Sequence, residues 1–491
     1  MGRRASLIAT LTEEPDEASL EALPAEVDGI EVRADLVGDV PASWLRQHFA
    51  GRLVYTLRSR AEGGGFEGSR ARRRERLTAA AADFDLVDLE ADRDLQPAVL
   101  DAIAPEKRLL SWHGPGCEMA RLEAIFERMS QIEAVLYKLV SFPREAVEET
   151  APLQLLLGLR RDDVIAFAGG EAGLWTRFLA PYAGAPFMYG AWGSQAGAPG
   201  QPSVARICRD YPHPDLPQVE RLFGIVGRPV SHSLSPRLHN GAYRALGISA
   251  LYLPFGPDSF ADFWLEVVEG GVFPALGFSL EGLSVTAPYK ASAAAVAGAL
   301  SPLAQVIDSA NTLTLRDGVW EGESTDPRGV VGALEEAGVF IAGNAAVIGC
   351  GGAGRAAAAG LARAGARVVL VNRSEEKGAA IAEALGMPFR RLEGFDPAGC
   401  SIVVNATSLG SAPEDPLPFD LDRVDRDATV VDMVYSERPT ALVEEFRSRG
   451  GRAVDGRSVL LHQAVDQFRL MTGTPLPVSL GRELLGLDEE G

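Results

Sequence analysis

The segment Ala345–Arg373 reads AAVIGCGGAGRAAAAGLARAGARVVLVNR and carries three glycines in the spacing G-x-G-x-x-G. The apolar run 345–348 before the glycines predicts a strand, 355–364 a helix, and the β-branched run 367–371 a second strand. In this setting such glycines allow a tight turn, close approach of a pyrophosphate and close packing of helix on strand. The segment therefore predicts a dinucleotide-binding unit, with a purely structural glycine turn as the alternative.

The residues after the second strand indicate which nucleotide is bound. An NAD site has Asp or Glu there to hold the ribose hydroxyls, whereas this chain has Asn372, Arg373 and Ser374. A cation between two neutral hydrogen-bonding residues suits a 2′-phosphate, so we predict NADP as the cofactor. The residues predicted to contact it in this segment are Gly349, Gly351, Gly352, Ala353, Gly354, Asn372, Arg373 and Ser374.

Composition limits the class of protein. The chain has 491 residues, 46% of them hydrophobic, which is enough for roughly three to four packed domains. The formal net charge of −20 argues against a nucleic-acid partner, because a polyanion is repelled by such a surface. We interpret the arginine-rich run Arg70 to Arg76 as a solvated helix face.

The cysteines and the apolar runs bear on compartment. The four cysteines, Cys117, Cys208, Cys350 and Cys400, form no CxxC or Cys/His cluster, so neither a metal site nor a disulfide framework is predicted. That usage is typical of a reducing compartment, and no apolar run approaches the ~20 residues of a membrane span. We expect a cytoplasmic protein that acts on small molecules, with a homodimer as the candidate assembly.

The first half of the chain alternates short apolar runs with helical stretches. Eight such runs over roughly 200 residues predict a (β/α)8 barrel, which we place at residues 1–212, and the proline-rich stretch 213–221 is interpreted as a linker. The predicted strands are Ser6–Thr10, Gly29–Val32, Leu53–Leu57, Leu86–Leu89, Arg108–Trp112, Val135–Val140, Val164–Ala168 and Phe187–Tyr189.

Polar residues follow these strands, where the chemistry of such barrels is located. Lys138 is the most informative, because burial in a strand would lower the pKa of its amine and leave a nucleophile for a ketone. A lysine there could instead extend to solvent or pair with a carboxylate, but His113 on the neighbouring strand favours chemistry. The polar set is Glu31, Arg33, Arg58, Glu62, His113, Lys138, Arg177 and Gln201.

The stretches GIEVRAD, YTLRSRAEGG, SWH, YKLV, GLWTRFL and APGQPS resemble those of type I 3-dehydroquinate dehydratases. The resemblance implies that Lys138 forms a Schiff base with the substrate ketone, and that His113, oriented by Glu62, moves the α-proton. It assigns the substrate hydroxyls and carboxylate to Glu31, Arg33, Arg58, Arg177 and Gln201. One departure is Gly197, where the family usually has a serine that contacts substrate.

The second half opens with a strand at Phe223 to Val226 and a loop rich in hydroxyl groups. Ser235 is the expected N-cap of the next helix, with Pro236 in its first turn. Capping does not account for Ser231, His232 and Ser233 beside it, so a loop that binds a polyol is favoured. Farther on, SVTAPYK predicts a strand leading to Lys290, and a hairpin is predicted to turn at Asp317 and Gly318.

Six motifs in this half, HSLSP, SVTAPYK, ANTL, STD, GCGGAG with VNR and NATS, and DMVY through GRSVLLHQA, resemble shikimate dehydrogenases. The resemblance implies a catalytic pair of Lys290 and Asp326, with Lys290 protonating the developing alkoxide. It implies substrate contacts from Ser233, Ser235, Thr286, Asn311, Gln463 and Tyr435. It adds cofactor contacts from Asn405, Thr407, Ser408, Met433 and Gly456.

We expect a substrate lobe at 222–325, an NADP lobe with a Rossmann fold at 326–455 and returning helices at 456–491. Ser284 and Pro327 depart from the family, and Pro327 is expected to hold Asp326 in an extended conformation. Together the two resemblances imply a bifunctional enzyme that dehydrates 3-dehydroquinate and reduces 3-dehydroshikimate with NADPH. The alternatives are an NAD-linked, quinate-oxidising enzyme working in the catabolic direction and a non-catalytic regulator that binds the metabolites.

Overall fold

The computed structural model describes residues 3–116, 118–193, 195–412 and 414–488, so Cys117 lies outside the described residues. The chain divides into two compact units. The first runs to Leu222 and also includes 229–231 and 249–279; the second comprises the remaining residues. Within the described ranges every helix is too short or too polar to cross a membrane.

The first unit contains a nearly closed barrel of eight parallel strands, in which the first strand pairs with the last, Ser6 opposite Phe187. All eight predicted strands are confirmed, most of them slightly longer than predicted. After a short strand β1 (Arg3–Arg4), the barrel strands are β2 (Ser6–Leu11), β3 (Val27–Arg33), β4 (Arg52–Thr56), β5 (Leu86–Glu90), β6 (Arg108–Pro115), β7 (Leu136–Phe142), β8 (Val164–Ala168) and β9 (Phe187–Trp192).

Helices and 3₁₀ turns lie between the strands of the first unit and follow them. The α-helices are Glu17–Glu21, Ala34–Val37, Ala42–His48, Arg70–Asp83, Pro97–Leu100, Met119–Ser130, Ala146–Leu159, Leu174–Ala183, Val204–Asp210, Phe260–Phe263 and Val272–Ala275. The 3₁₀ turns are Arg60–Glu62 and Pro105–Lys107, and Trp264–Val268 is a π-helix. These connections position the polar residues that follow the barrel strands.

The arginine-rich helix Arg70–Asp83 corrects one prediction. Arg73 is buried with Leu77 and Ala80 on one face, as expected for residues four and seven apart. Its guanidinium makes two 2.7 Å hydrogen bonds to the carboxylate of Asp94. The solvated-face interpretation is therefore wrong for Arg73, because a carboxylate distant in sequence neutralises it inside the fold.

The predicted linker is an ordered part of the first unit. Strand β10 (Asp215–Leu216) pairs antiparallel with β1, and His213 is only 3% exposed. A ring nitrogen of His213 lies 3.1 Å from the carbonyl oxygen of Phe178, and the Phe178 ring stacks on Tyr211. Proline spacing alone did not reveal these long-range contacts.

The next strands in the chain are β11 (Arg221–Val226) and β12 (Ala250–Phe255). The second unit continues with β13 (Ser279–Val285), β14 (Ala299–Leu300), β15 (Thr312–Arg316) and β16 (Val319–Glu323), in the sheet order β11-β13-β15-β16-β14. The predicted hairpin is confirmed: β15 and β16 are antiparallel and turn at Asp317 and Gly318, which both have positive φ.

The glycine-rich segment lies in a six-stranded parallel sheet. The strands are β17 (Asn344–Ile348), β18 (Arg367–Asn372), β19 (Phe389–Arg391), β20 (Ile402–Asn405), β21 (Thr429–Asp432) and β22 (Arg452–Val454). Their order is β19-β18-β17-β20-β21-β22, which is the Rossmann order 3-2-1-4-5-6. The order reverses between β17 and β20, and ligands bind at such a switch point.

Nine α-helices accompany the sheets among the described residues of the second unit. They are Ser235–Leu246, Lys290–Val296, Pro302–Ile307, Asp326–Glu336, Gly352–Arg363, Glu375–Ala384, Ala441–Ser448, Gly456–Thr472 and Val478–Leu484, with a 3₁₀ turn at Leu421–Arg423. Ser235 is the first helical residue rather than the N-cap, which is Leu234. The hydroxyl of Ser233 accepts from the Ser235 N–H at 3.2 Å, so the predicted cap lies one residue too far toward the C-terminus.

Candidate active sites

A cavity of about 180 Å³ opens inside the barrel of the first unit. Each polar residue predicted for this site lines it: Glu31, Arg33, Arg58, Glu62, His113, Lys138, Arg177 and Gln201. Glu31, Arg33, His113 and Lys138 lie on barrel strands, which turn alternate side chains inward. Arg58, Glu62, Arg177 and Gln201 lie in the segments that follow strands, so residues far apart in sequence converge on one space.

Lys138 on β7 is a buried amine, 5% exposed. Its Nζ lies 3.5 Å from Oε1 of Glu31 and 3.7 Å from the centroid of the Tyr189 ring. Burial lowers the pKa of Lys138 below its ordinary value, and Arg58 and Arg33 act in the same direction, against Glu31. The shift enlarges the fraction of neutral amine, which is the nucleophilic form.

His113 at the end of β6 is paired with Glu62. Its Nδ1 and its backbone N both lie 3.1 Å from Oε2 of Glu62; with the proton on Nδ1, Nε2 is left as a base. Burial lowers the pKa of His113 well below its ordinary value, and Arg58 and Lys138 lower it further. Burial raises the pKa of Glu62 to about 8, against the opposing effect of Arg58. A neutral imidazole is the form that accepts a proton.

Glu31 is held as an anion in the same cavity. Its two carboxylate oxygens accept hydrogen bonds of 2.9 Å from the hydroxyls of Thr10 and Thr56. Burial alone would raise the pKa of Glu31, but Lys138, with Arg33 and other cations, lowers it to about 2. The carboxylate is therefore placed to accept from ligand hydroxyls.

The three arginines of the cavity differ in how far they are engaged. Arg58 bonds Asp88 at 2.6 Å, and Arg33 bonds Asp35 and the carbonyl of Gly197. Arg177 makes no hydrogen bond within the described part of the chain, and its guanidinium lies 4.3 Å above the Phe167 ring. Burial lowers the pKa of Arg177 to about 10. Arg177 is thus the cation of this cavity with N–H groups available to a ligand carboxylate.

Six buried residues in or around this site were missed by sequence reasoning: Thr10, Thr56, Asp88, Glu90, Ser111 and Tyr189. Asp88 and Ser111 both bond Arg58, and Glu90 accepts from the backbone N of Ser59 at 2.7 Å. The signal was present in β5, LVDLE, where carboxylates alternate with apolar residues, as Lys138 does in β7. Such charges in a buried strand must face cations across the barrel.

The Gly197 departure has a steric basis. A Cβ at this position would come within 2.8 Å of Cγ2 of Thr10 and 3.0 Å of Oε1 of Gln201. The Gly197 N–H donates to Gln201 at 3.0 Å, and its carbonyl accepts from Arg33. In this structure the glycine backbone is packed where a serine side chain would require its neighbours to shift.

A second cavity, of about 110 Å³, lies in the second unit. Ten predicted residues line it: Ser235, Thr286, Lys290, Asn311, Asp326, Ala353, Met433, Tyr435, Gly456 and Gln463. Ser233 is not among the residues that line it and instead supports the backbone of Ser235. The cavity thus brings residues from both predicted lobes to one place.

Lys290 and Asp326 form a direct ion pair, in which Nζ meets Oδ2 of Asp326. The other oxygen of Asp326 accepts from Nδ2 of Asn311 at 2.7 Å. Asn311 is itself fixed, because its Oδ1 accepts from the backbone N of Thr325 at 2.9 Å. The carboxylate is buried and aimed from both sides, so the ammonium of Lys290 has a defined direction.

The extended conformation predicted for Asp326 before Pro327 is wrong, because Asp326 is helical. Helix Asp326–Glu336 begins at Asp326 itself, with Pro327 in its first turn, where proline is favoured. A Cβ on Gly360 of helix Gly352–Arg363 would lie only 3.0 Å from Cβ of Pro327. The proline is accommodated because the neighbouring helix has a glycine at the contact.

Gln467 is a lining residue that the sequence did not indicate. Its side chain is 3% exposed and bonds the Ser284 hydroxyl and the carbonyl of Asn311, each at 3.2 Å. Ser284 is one of the departures noted above, and in this chain its hydrogen bond to Gln467 forms part of the cavity wall. Gln467 lies four residues beyond Gln463 on one helix, a spacing that shares a face.

The three glycines of the nucleotide turn have distinct surroundings. Gly349 has φ of 102°, and a Cβ on Gly354 would lie 1.9 Å from the carbonyl oxygen of Gly349. A Cβ on Gly351 would meet only open space, and the helix Gly352–Arg363 that starts there has no side-chain hydrogen bond at its cap. The free first N–H groups and the space above Gly351 fit a pyrophosphate.

The residues after β18 fit a 2′-phosphate. Nδ2 of Asn372 donates to the carbonyl of Ser374 at 3.0 Å, which shapes the turn. Arg373 is exposed, and across the described ranges it has no ion-pair partner. An unengaged guanidinium at this point is the feature that a phosphate on the ribose needs.

Asn405, predicted to contact the cofactor, is engaged by groups of the chain itself. It is fully buried and bonds the carboxylate of Asp432, the carbonyl of Leu409 and the hydroxyl of Thr407. Ser408 accepts from Ser411 through its carbonyl oxygen. Asn405 therefore shapes the loop that carries Thr407 and Ser408.

The comparisons with known proteins cover both halves of the chain. A model of the type I 3-dehydroquinase family matches residues 6–212, and one of the shikimate dehydrogenase substrate binding domain matches 225–313. The chloroplastic bifunctional 3-dehydroquinate dehydratase/shikimate dehydrogenase of Arabidopsis thaliana is 30% identical over 458 residues, which is 87% of this chain and 74% of that protein.

Two dehydrogenases match the second half alone. Shikimate dehydrogenase (NADP(+)) of Haloarcula marismortui is 38% identical over 52% of this chain and 95% of its own. The crystal structure of shikimate 5-dehydrogenase from Thermus thermophilus, in complex with NADP(H) and shikimate, has a TM-score of 0.50 and 32% identity, covering 55% of this chain and 99% of that one. With the relative that spans both halves, these matches establish that the chain belongs to the family of bifunctional 3-dehydroquinate dehydratases/shikimate dehydrogenases.

Proposed function

We propose that the barrel dehydrates 3-dehydroquinate through an imine on Lys138, and that the second unit reduces the resulting 3-dehydroshikimate to shikimate with NADPH. The observation that carries the proposal is a buried lysine of lowered pKa in one cavity with a histidine held neutral. A protein that only binds metabolites has no need of an imine-forming amine. This pairing therefore favours the enzyme over the regulator.

In the first site, the neutral amine of Lys138 adds to the substrate ketone, and the resulting hydroxyl takes up a proton from solvent and leaves as water to give an iminium ion. The iminium withdraws electrons from the adjacent C–H bond, so that Nε2 of His113 can remove the proton. The enamine then expels the β-hydroxyl, which takes its proton from His113 and leaves as water. Hydrolysis of the imine frees the product and regenerates Lys138.

The remaining polar groups of that site hold the substrate. Arg177 is the proposed partner of the carboxylate, because its N–H groups are unengaged. Glu31 accepts hydrogen bonds from the substrate hydroxyls, and the amide of Gln201 can donate to them. Glu62 fixes the ring of His113. Arg33 and Arg58 are already bonded to carboxylates, so we assign them a field that stabilises negative charge in the cavity.

In the second site, bound NADPH supplies a hydride to the ketone carbon. Lys290 holds the proton that the carbonyl oxygen requires as negative charge develops on it. Asp326 pairs with Lys290 and aims it, and Asn311 aims Asp326. Ser235, Thr286 and Gln463 are the proposed contacts of the ring hydroxyls and carboxylate.

Arg373 favours NADP over the NAD-linked, quinate-oxidising alternative. Its guanidinium is exposed directly after β18, where an NAD site has a carboxylate. Arg373→Ala is expected to lower turnover with NADPH about tenfold or more, since it removes a charged phosphate contact. Comparing NADP with NAD on shikimate and quinate measures this preference directly.

We further infer that residues 1–212 carry the dehydratase, 222–325 with 456–491 the shikimate-binding part, and 326–455 the cofactor part. A cytoplasmic location and a homodimer stay predictions. Cell fractionation tests the location, and sedimentation of the purified chain tests the assembly.

The test of the function is one assay with matched variants. Purified protein given 3-dehydroquinate and NADPH should consume NADPH and release shikimate. Lys138→Ala should form no shikimate from 3-dehydroquinate yet still reduce added 3-dehydroshikimate. Lys290→Ala should dehydrate 3-dehydroquinate and stop at 3-dehydroshikimate. Loss of both activities in either variant would contradict the assignment of separate sites.

A further inference from the structure

A third cavity lies in the first unit, outside the catalytic one. It occupies about 310 Å³ between the segment that follows β4 and the segment that follows β5. Its lining contains five arginines, Arg60, Arg70, Arg73, Arg74 and Arg93. The mechanism proposed above uses none of them.

The charge of this pocket is opposite to that of the chain as a whole. Two acidic residues, Glu67 and Asp94, also line it, and Asp94 is occupied by the bidentate contact with Arg73. Arg70 and Arg74 are exposed and have no ion-pair partner within the described residues. A local excess of cations in a chain of net charge −20 attracts a small anion selectively.

The wall of the pocket adds two further features. Ser59 is only 5% exposed, and its hydroxyl oxygen has no hydrogen-bond partner in the described part of the chain. This hydroxyl makes the wall polar, although its oxygen is itself buried rather than open to the pocket. Phe66 and Val99 give the pocket an apolar side. The lining therefore suits a molecule with one strongly anionic end and a small apolar body.

We propose that this pocket binds a small organic phosphate. The two unengaged guanidinium groups of Arg70 and Arg74 match the several oxygens of a phosphate monoester. Phe66 and Val99 would cover its carbon skeleton. The pocket is separate from the dehydratase site, because the two cavities share no lining residue, although Ser59 and Arg60 belong to the same connection after β4 as Glu62.

Phenyl phosphate is the probe, titrated calorimetrically into the full-length protein saturated with NADP. Arg70→Gln combined with Arg74→Gln removes the two unengaged cations, and the matched control is Arg72→Gln with Arg121→Gln. The control makes the same change of charge at exposed arginines that do not line the pocket. Dehydratase turnover of each variant reports that it is folded.

We expect the pocket variant to bind at least about tenfold more weakly, as loss of charge-assisted contacts predicts, and the control to bind like wild type. Ala71→Glu, which places a carboxylate at an exposed lining position, is expected to abolish binding and gives a second test. Three results would each overturn the proposal: no binding to wild type, equal weakening of pocket variant and control, or unchanged affinity in both lining variants.

Discussion

The amine nitrogen of Lys138 lies 3.7 Å from the centre of the Tyr189 ring. The face of an aromatic ring stabilises an ammonium ion, whereas burial favours the neutral amine. The ring therefore keeps Lys138 from losing its proton as readily as burial alone would dictate. Together with the charges of Glu31, Arg58 and Arg33, these two opposing effects set the fraction of enzyme that is ready to attack a ketone.

Replacing the ring should change the pH dependence of dehydration. In Tyr189→Leu the pKa of Lys138 should fall further, because the cation–π contact is gone, so the acid limb of kcat/KM moves to lower pH. Tyr189→Phe keeps the ring and removes a hydroxyl that has no partner among the described residues, so its profile should match wild type. Equal shifts in the two variants would contradict the role given to the ring.

His113→Gln should separate imine formation from proton transfer. The substitution removes the base, so kcat for dehydration is expected to fall about 10²- to 10⁴-fold, the usual contribution of general acid–base catalysis. Lys138 still meets the ketone, so borohydride should still fix substrate to the protein. Normal turnover in this variant would contradict the role of His113 as the base. Loss of trapping would mean that His113 is also needed to form the imine.

His213 should make the first unit sensitive to acid. Burial lowers the pKa of His213 to about 3, while in the unfolded chain the same imidazole titrates near 6.5. The fold therefore favours the neutral imidazole, and its contribution to the free energy of unfolding is complete above pH 6.5 and is lost as the pH falls toward 3. At pH 5 the loss is about 2 kcal/mol.

His213→Gln can still donate to the carbonyl of Phe178 and does not titrate. Urea unfolding at pH 7 and pH 5 should therefore show a smaller pH-dependent loss in this variant than in wild type. The same loss in both proteins would show that His213 is not held neutral in the fold.

The Pro327–Gly360 contact predicts a steric cost. Gly360→Ala places a Cβ within about 3 Å of Pro327 and should destabilise the second unit by about 1–3 kcal/mol, as overpacking does. Pro327→Gly should recover part of that loss when combined with it. As a control, Gly158→Ala on an exposed helix position with open space around it should stabilise by about 0.5–1 kcal/mol.

The sequence was sufficient for the barrel strands and for the polar residues that line the barrel cavity, because both follow local rules. Apolar runs marked β2 to β9, and a lysine or histidine within such a run had to face the interior. What it missed depends on partners far away in the chain. The sequence around Arg73 does not indicate that Asp94 neutralises it. Tyr189 has the sequence context of an ordinary core aromatic residue, and only the fold places its ring over Lys138.

The proline-rich stretch 213–221 illustrates the same limit. Its composition is that of a linker, yet β10 pairs with β1, about 210 residues earlier in the chain. By contrast, Asp88 and Glu90 were within reach of the sequence: their alternation in LVDLE carries the same signal as Lys138 in YKLV. The same alternation in β5 predicts the carboxylates that surround Arg58.

The most direct test of the proposed chemistry is borohydride reduction in the presence of 3-dehydroquinate, followed by mass spectrometry of the peptides. The chain has only four lysines, Lys107, Lys138, Lys290 and Lys377, so the modified residue can be assigned without ambiguity. We predict substrate mass on the peptide that contains Lys138 and none on the other three lysines. A label on another lysine, or no label during active turnover, would contradict the Schiff-base mechanism.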